Sequence, residues 1–148
     1  MDSFSTFALS LENITKIINK IKSLKISEFG IRTAHLNCML HIDSSKDGLS
    51  PTELSKDCGV DKAFVSRTTA DLIKGGFIQM NQKFNDGRKY RNKYVLTEKG
   101  REVIRETKAL IEKYFSDLSD KIREHEMSCF IRVILAINES ASEKEKEI

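Results

Sequence analysis

Leu49-Ser50-Pro51-Thr52-Glu53-Leu54 constrains this chain more than any other stretch, because it holds three separate signals for one helix start. Ser50 offers a side-chain oxygen to the unpaired N–H groups of a first turn, Pro51 suits the first helical position, and Glu53 stands where it can reach back to the cap. The helix must be short, since Gly59 follows Lys56-Asp57-Cys58 and admits the left-handed backbone that ends a helix. Asp61 can cap the next helix, which is predicted from Lys62 to about Lys74 and is closed by Gly75-Gly76. Two short helices therefore meet across a glycine turn.

Beyond Gly76 the pattern changes from helical to extended. Phe77-Ile78-Gln79-Met80 and Tyr94-Val95-Leu96 favour strands, and Asn85-Asp86-Gly87 between them favours a turn, so a hairpin is predicted. Its tip is basic, with Lys83, Arg88, Lys89, Arg91 and Lys93 against Asp86 alone. The net charge of the 148 residues is only +3, yet residues 49–100 hold ten Lys and Arg against six Asp and Glu, and the remainder carries 15 against 16. A polyanion partner is expected at that one place.

On the flanks, Phe7, Leu11, Ile14, Ile17, Ile18 and Ile21 recur at helical spacing over residues 4–21. A second helix is predicted from Ser27 to about Ile42, stopping in Asp43-Ser44-Ser45-Lys46-Asp47-Gly48. Thr97 can cap a long helix predicted from Glu98 to about Glu124. A last helix from Met127 to Asn138 puts Phe130, Ile131, Ile134 and Ile137 on one side, and the charged tail 139–148 is expected to fray. The predicted fold is mainly α with a small two-stranded β wing. It forms one domain over 1–148, a lobe at about 30–100 flanked by association helices at about 1–25 and 101–140.

With 32% charged and 39% apolar residues, the chain reads as a hydrated helical protein. No apolar run approaches the roughly 20 residues of a membrane span, and Asp2 stands where a secretory leader wants bases. No membrane association and a cytoplasmic location are expected. Cys38, Cys58 and Cys129 are odd in number and widely spaced, which suggests no disulfide framework. His35, Cys38 and His41 are spaced three apart, but six residues turn a helix by about 600°, leaving the two imidazoles about 120° apart. No metal and no cofactor are expected from them. Nor is there a phosphate-cradling glycine loop, a nucleophile elbow or a carboxylate pair to support an enzyme.

Helix, glycine turn, helix and basic hairpin is the order of a winged helix-turn-helix, whose second helix enters the DNA major groove while the wing lies alongside. At about 100° per residue, Lys62, Ala63, Ser66 and Arg67 fall on one side of that helix, and Val65, Thr68, Thr69 and Leu72 on the other. Short side chains at Ala63 and Ser66 let a backbone approach bases, and the Arg67 guanidinium can make two parallel hydrogen bonds to guanine or hold a phosphate.

Leu49-Ser50-Pro51-Thr52-Glu53-Leu54-Ser55, Val60, Val65-Ser66-Arg67, Leu72, Gly76-Phe77-Ile78, Asp86-Gly87-Arg88 and Leu96-Thr97-Glu98-Lys99-Gly100 follow one another in an order that resembles the multiple-antibiotic-resistance regulator (MarR) family of transcription factors. The resemblance implies that Lys62, Ala63, Ser66 and Arg67 lie at the major groove. It also implies that Arg88 reaches the minor groove from a wing shared with Lys89 and Arg91 and supported by Asp86. It further implies a homodimer, here through Phe7, Leu11, Ile14, Ile18, Phe130, Ile134 and Ile137, binding a near-palindromic site in double-stranded DNA. The function implied is an effector-responsive repressor, the effector being a small phenolic or lipophilic molecule, an oxidant or a metal. Thr68-Thr69 departs from the apolar residues usual there, and the stretch from Arg88 to Leu96 is longer than usual. An architectural or protein-interaction winged helix, and a metal- or redox-sensing member of the same family, are the alternatives.

Overall fold

Asp2 opens the first helix, α1 (Ser3–Ile26), by accepting the Ser5 backbone N–H on its carboxylate at 2.8 Å. The computed structural model describes residues 2–81 and 92–148, in two compact units, Met1–Ile111 and Glu112–Ile148. In the first unit α1 runs past the predicted end at Ile21, since Lys22-Ser23-Leu24-Lys25 contains no breaker, and both Ile21 and Ile26 are buried. The helix predicted over 27–42 is two pieces. A 3₁₀ turn, Ser27–Phe29, ends at Gly30, whose φ of 69° only glycine adopts without strain, and α2 (Thr33–Asp43) starts afresh. There the Arg32 backbone N–H donates to His35 Nδ1 at 3.0 Å, an imidazole doing the work of a capping carboxylate.

Both halves of the predicted capping box form at α3 (Pro51–Cys58). The Glu53 N–H donates to Ser50 Oγ at 3.2 Å, and the Ser50 N–H to Glu53 Oε2 at 2.7 Å. Gly59 turns the chain left-handed, and Asp61 caps α4 (Lys62–Lys74) by accepting the Phe64 N–H at 2.7 Å. Strands β1 (Ile78–Met80) and β2 (Tyr94–Leu96) pair antiparallel, with Ile78 opposite Leu96. Leu49 adds an isolated bridge to β2 by exchanging two backbone hydrogen bonds with Tyr94, at 3.1 and 2.8 Å.

Helix α5 (Glu98–Tyr114) begins at Thr97, whose hydroxyl accepts the Gly100 N–H and donates to the Gly76 carbonyl at 2.6 Å. Gly100 itself lies against the backbone of β1's approach, where an added Cβ would sit 2.1 Å from the Phe77 carbonyl oxygen. The core collects Leu36, Met39 and Ile42 of α2, Leu54 of α3, Val65 and Leu72 of α4, Phe77, Ile78 and Leu96 of the hairpin, and Val103 and Ile104 of α5.

The second unit corrects two expectations. The helix predicted unbroken to Glu124 ends at Tyr114, where the Ser116 hydroxyl donates to the Lys113 carbonyl at 2.8 Å and so competes with the helix's own backbone bonding. A single turn, α6 (Leu118–Lys121), and an extended Ile122 follow. Helix α7 (Glu124–Glu145) then starts three residues earlier than predicted, with Glu126 accepting the Arg123 backbone N–H at 2.9 Å. It also continues through the tail expected to fray, where Ala, Glu and Lys supply helix propensity without any apolar face. No described helix is long and apolar enough to cross a membrane.

Gly100→Ala should cost about 3 kcal/mol, since the added methyl meets a backbone oxygen that cannot swing away. Gly59→Ala, which meets open space and bears only the left-handed penalty, should cost about 1 kcal/mol. Urea midpoints of the two variants measure the difference, and equal values would show that α5 is not pressed against the Phe77 backbone.

Candidate nucleic-acid interface

Helix α4 carries two unlike sides. Val65, Thr68, Thr69 and Leu72 are buried, whereas Lys62, Ala63, Ser66 and Arg67 are all exposed. The outward set combines two cations with two of the smallest polar or neutral side chains, so a flat polyanion edge can approach the helix backbone closely. The departure at Thr68-Thr69 has a local solution. Thr69 is 2% exposed, and its hydroxyl donates to the Val65 carbonyl at 2.9 Å and the Ser66 carbonyl at 3.2 Å, so a polar group is buried without needing a partner from another element.

The C-terminal end of α4 is gripped from three directions. The Phe77 N–H donates to the Leu72 carbonyl and the Gly75 N–H to the Asp71 carbonyl, each at 2.9 Å. Lys99 donates to the Gly75 carbonyl at 2.7 Å and lies 4.3 Å from the Phe77 ring centroid, a cation over an aromatic face. From the side, His35 reaches Asp71. Its Nδ1 already accepts from Arg32, so Nε2 carries the hydrogen and donates to Asp71 Oδ2 at 3.2 Å. Sequence reasoning missed this tie, because its partners are 36 residues apart. The one local hint was a His three residues after a position, Arg32, that lacks a capping side chain. With both nitrogens engaged, His35 does not converge with Cys38 and His41, and no group of three or more His, Cys, Asp or Glu among the described residues could hold a metal.

Asp86, Arg88, Lys89 and Arg91, the wing residues of the sequence reading, lie outside the described residues. Lys93, at the foot of the hairpin, pairs with Glu53 Oε1 at 3.4 Å and so ties the wing base to α3. Of the residues expected to join two copies, Leu11, Ile14, Phe130 and Ile137 are exposed, and Phe7, Ile18 and Ile134 are half-buried.

The Ser50 backbone N–H, then its hydroxyl and the Lys93 ammonium, hold the Glu53 carboxyl below its ordinary value of 4.5. A folded pKa below the unfolded one means that the unfolded chain takes up the proton first on acidification. The contribution of Glu53 is therefore complete above the unfolded value and is lost as pH falls through the folded one. Urea midpoints of Glu53→Gln should lie below wild type at neutral pH and converge with it in acid, and parallel pH profiles would show that this carboxylate does not support α3.

No protein-family model matches the sequence, and no curated protein matches it either. The fold does have relatives among solved structures. Staphylococcus aureus MarR, solved in complex with salicylate and kanamycin, is 20% identical with a TM-score of 0.75 over 94% of this chain and 92% of that one. A MarR transcriptional regulator from Methanosarcina mazei Go1 is 17% identical with a TM-score of 0.75, covering 97% and 93%. A MarR/EmrR family regulator from Acinetobacter sp. ADP1 is 22% identical with a TM-score of 0.68, covering 96% and 99%.

Proposed function

We propose that this chain, which has the winged-helix fold of the MarR-family transcription regulators, is itself a sequence-specific DNA-binding regulator that works as a two-fold dimer. The observation that carries the reading is the outward surface of α4. Lys62, Ala63, Ser66 and Arg67 stand free on one side of a helix whose other side is buried and whose ends are both tied down. A helix that reads bases needs that combination, since a loosely held rod would lose in ordering entropy what its contacts return.

The dimer reading rests on apolar side chains exposed on α1 (Phe4, Leu9, Leu11, Ile14, Ile17) and on α7 (Phe130, Ile131, Val133, Leu135, Ile137). Exposed apolar surface on this scale marks an association site, and a second copy covers both helices by the same operation. Two recognition helices related by a two-fold axis read half-sites about one helical turn apart, which makes the target near-palindromic. Repression released by a small effector is the mode of regulation in this reading, and the salicylate complex of the S. aureus relative supports it.

Gel-shift titrations against the DNA upstream of the chain's own gene test the reading. Arg67→Ala should lose about 1–3 kcal/mol with relaxed specificity at one base position if the guanidinium reads guanine, and should weaken all sequences alike if it holds phosphate. Equal affinity of wild type and Arg67→Ala would remove α4 from the interface. In light scattering the particle should have twice the 16.9 kDa mass of one chain, and a single-chain mass would overturn the dimer.

A further inference from the structure

Two of the three cysteines, 20 residues apart in sequence, line one cavity of about 190 Å³ between α2, α3 and α4. Cys38 comes from α2 and is buried, and Cys58 is the last residue of α3 and half-buried. Ala34, Val60, Phe64 and Val65 form apolar walls, and the remaining lining, Asn37 and Thr68, is neutral. No carboxylate, imidazole or amine faces the cavity among the described residues. That chemistry rejects hard cations and anions, which need charged or oxygen-rich surroundings.

We propose that Cys38 and Cys58 form a two-coordinate site for a soft, thiophilic divalent cation of the mercuric type, and that occupying it lowers DNA affinity through α4. Charge balance selects the class. Two thiols lose two protons to solvent as two S–metal bonds form, no electron is transferred, and a divalent ion between two thiolates leaves a neutral group in an apolar cavity. A monovalent ion held the same way would leave a buried negative charge without a partner. Ions that insist on four ligands find only these two sulfurs, since no larger cluster of ligand residues exists among the described residues.

The thiols themselves are suited to waiting unreacted. Burial, with the neighbouring Cys58 adding to it, pushes the Cys38 thiol up to about 12, and burial, with the adjacent Asp57 carboxylate adding to it, raises Cys58. The link to regulation is positional and rests on the DNA-binding reading above. A sulfur–metal–sulfur bridge ties the middle of α2 to the residue immediately before Gly59, the turn from which α4 departs, and Val65 and Thr68 of α4 line the same cavity.

The test uses mercuric chloride as probe and the full chain carrying Cys129→Ala, which removes the exposed third thiol. Ultraviolet sulfur-to-mercury charge transfer and native mass spectrometry, with a small competing thiol present, should give one ion per chain. In a separate titration without the competing thiol, a pH indicator should report two protons released per ion. Adding Cys58→Ser, at a half-buried position that tolerates the change, should weaken binding by about 100-fold or more, the gain a second tethered ligand supplies. Cys38→Ala should do the same, with circular dichroism confirming its fold. Two ions per chain, or undiminished binding in the Cys58→Ser protein, would overturn the site.

In gel shifts the loaded protein should bind DNA about tenfold or more weakly than the metal-free protein, and not so in the Cys58→Ser background. Equal shifts of loaded and metal-free protein would overturn the coupling. Failure of the metal-free protein to shift DNA would instead sink the DNA-binding reading, while the absorbance titration still decides the site.

Discussion

The outward face of α4 has functional meaning only because the inward face is immobilised. Val65 and Leu72 lie in the apolar core, and Thr69 keeps its hydroxyl busy with its own helix. The two ends are held by Asp61 and by the Gly75–Phe77 turn under Lys99, with His35 bracing Asp71 between them. Apolar burial supplies most of the holding energy but is non-directional, whereas the capping and latching hydrogen bonds fix how the helix is rotated. Rotation is the quantity that matters, since about 100° separates each residue from the next and a small roll would carry Arg67 off the exposed side.

Legibility in the sequence followed the range of the interactions. The helix-starting and helix-ending roles of Ser50, Pro51, Glu53, Gly59, Asp61 and Thr97 each involve backbone within four residues, and each stands in the structure where the sequence puts it. The two-sidedness of α4 was legible for the same reason, as helical spacing is a local rule. Gly30 was overlooked because a lone glycine in a plausible helix is often tolerated, and only its positive φ reveals the break. The end of α5 and the extension of α7 escaped because apolar periodicity says little where the helix surface is exposed on most sides. The His35–Asp71 tie and the shared cavity of Cys38 and Cys58 depend on which helices face each other, which no short window contains.

At 17–22% identity the structures compared here keep the same chain path, so few side chains specify it. Thr69 shows how a polar side chain is accommodated in the core, its hydroxyl bonded within its own helix.

The Leu49 bridge has a consequence of its own. Leu49 and Tyr94 bond across the foot of the hairpin, the Asn81 N–H reaches the Lys93 carbonyl at 2.7 Å, and Gly48 has no room for a side chain beneath Tyr94. The foot is thus clamped on both sides independently of what lies between residues 81 and 93. Insertions or deletions in the sequence of that interval leave the lobe's register untouched, because the pairings that set it lie outside the interval. The loop at residues 44–48, by contrast, has no such freedom, and a single added residue there would unseat the sheet.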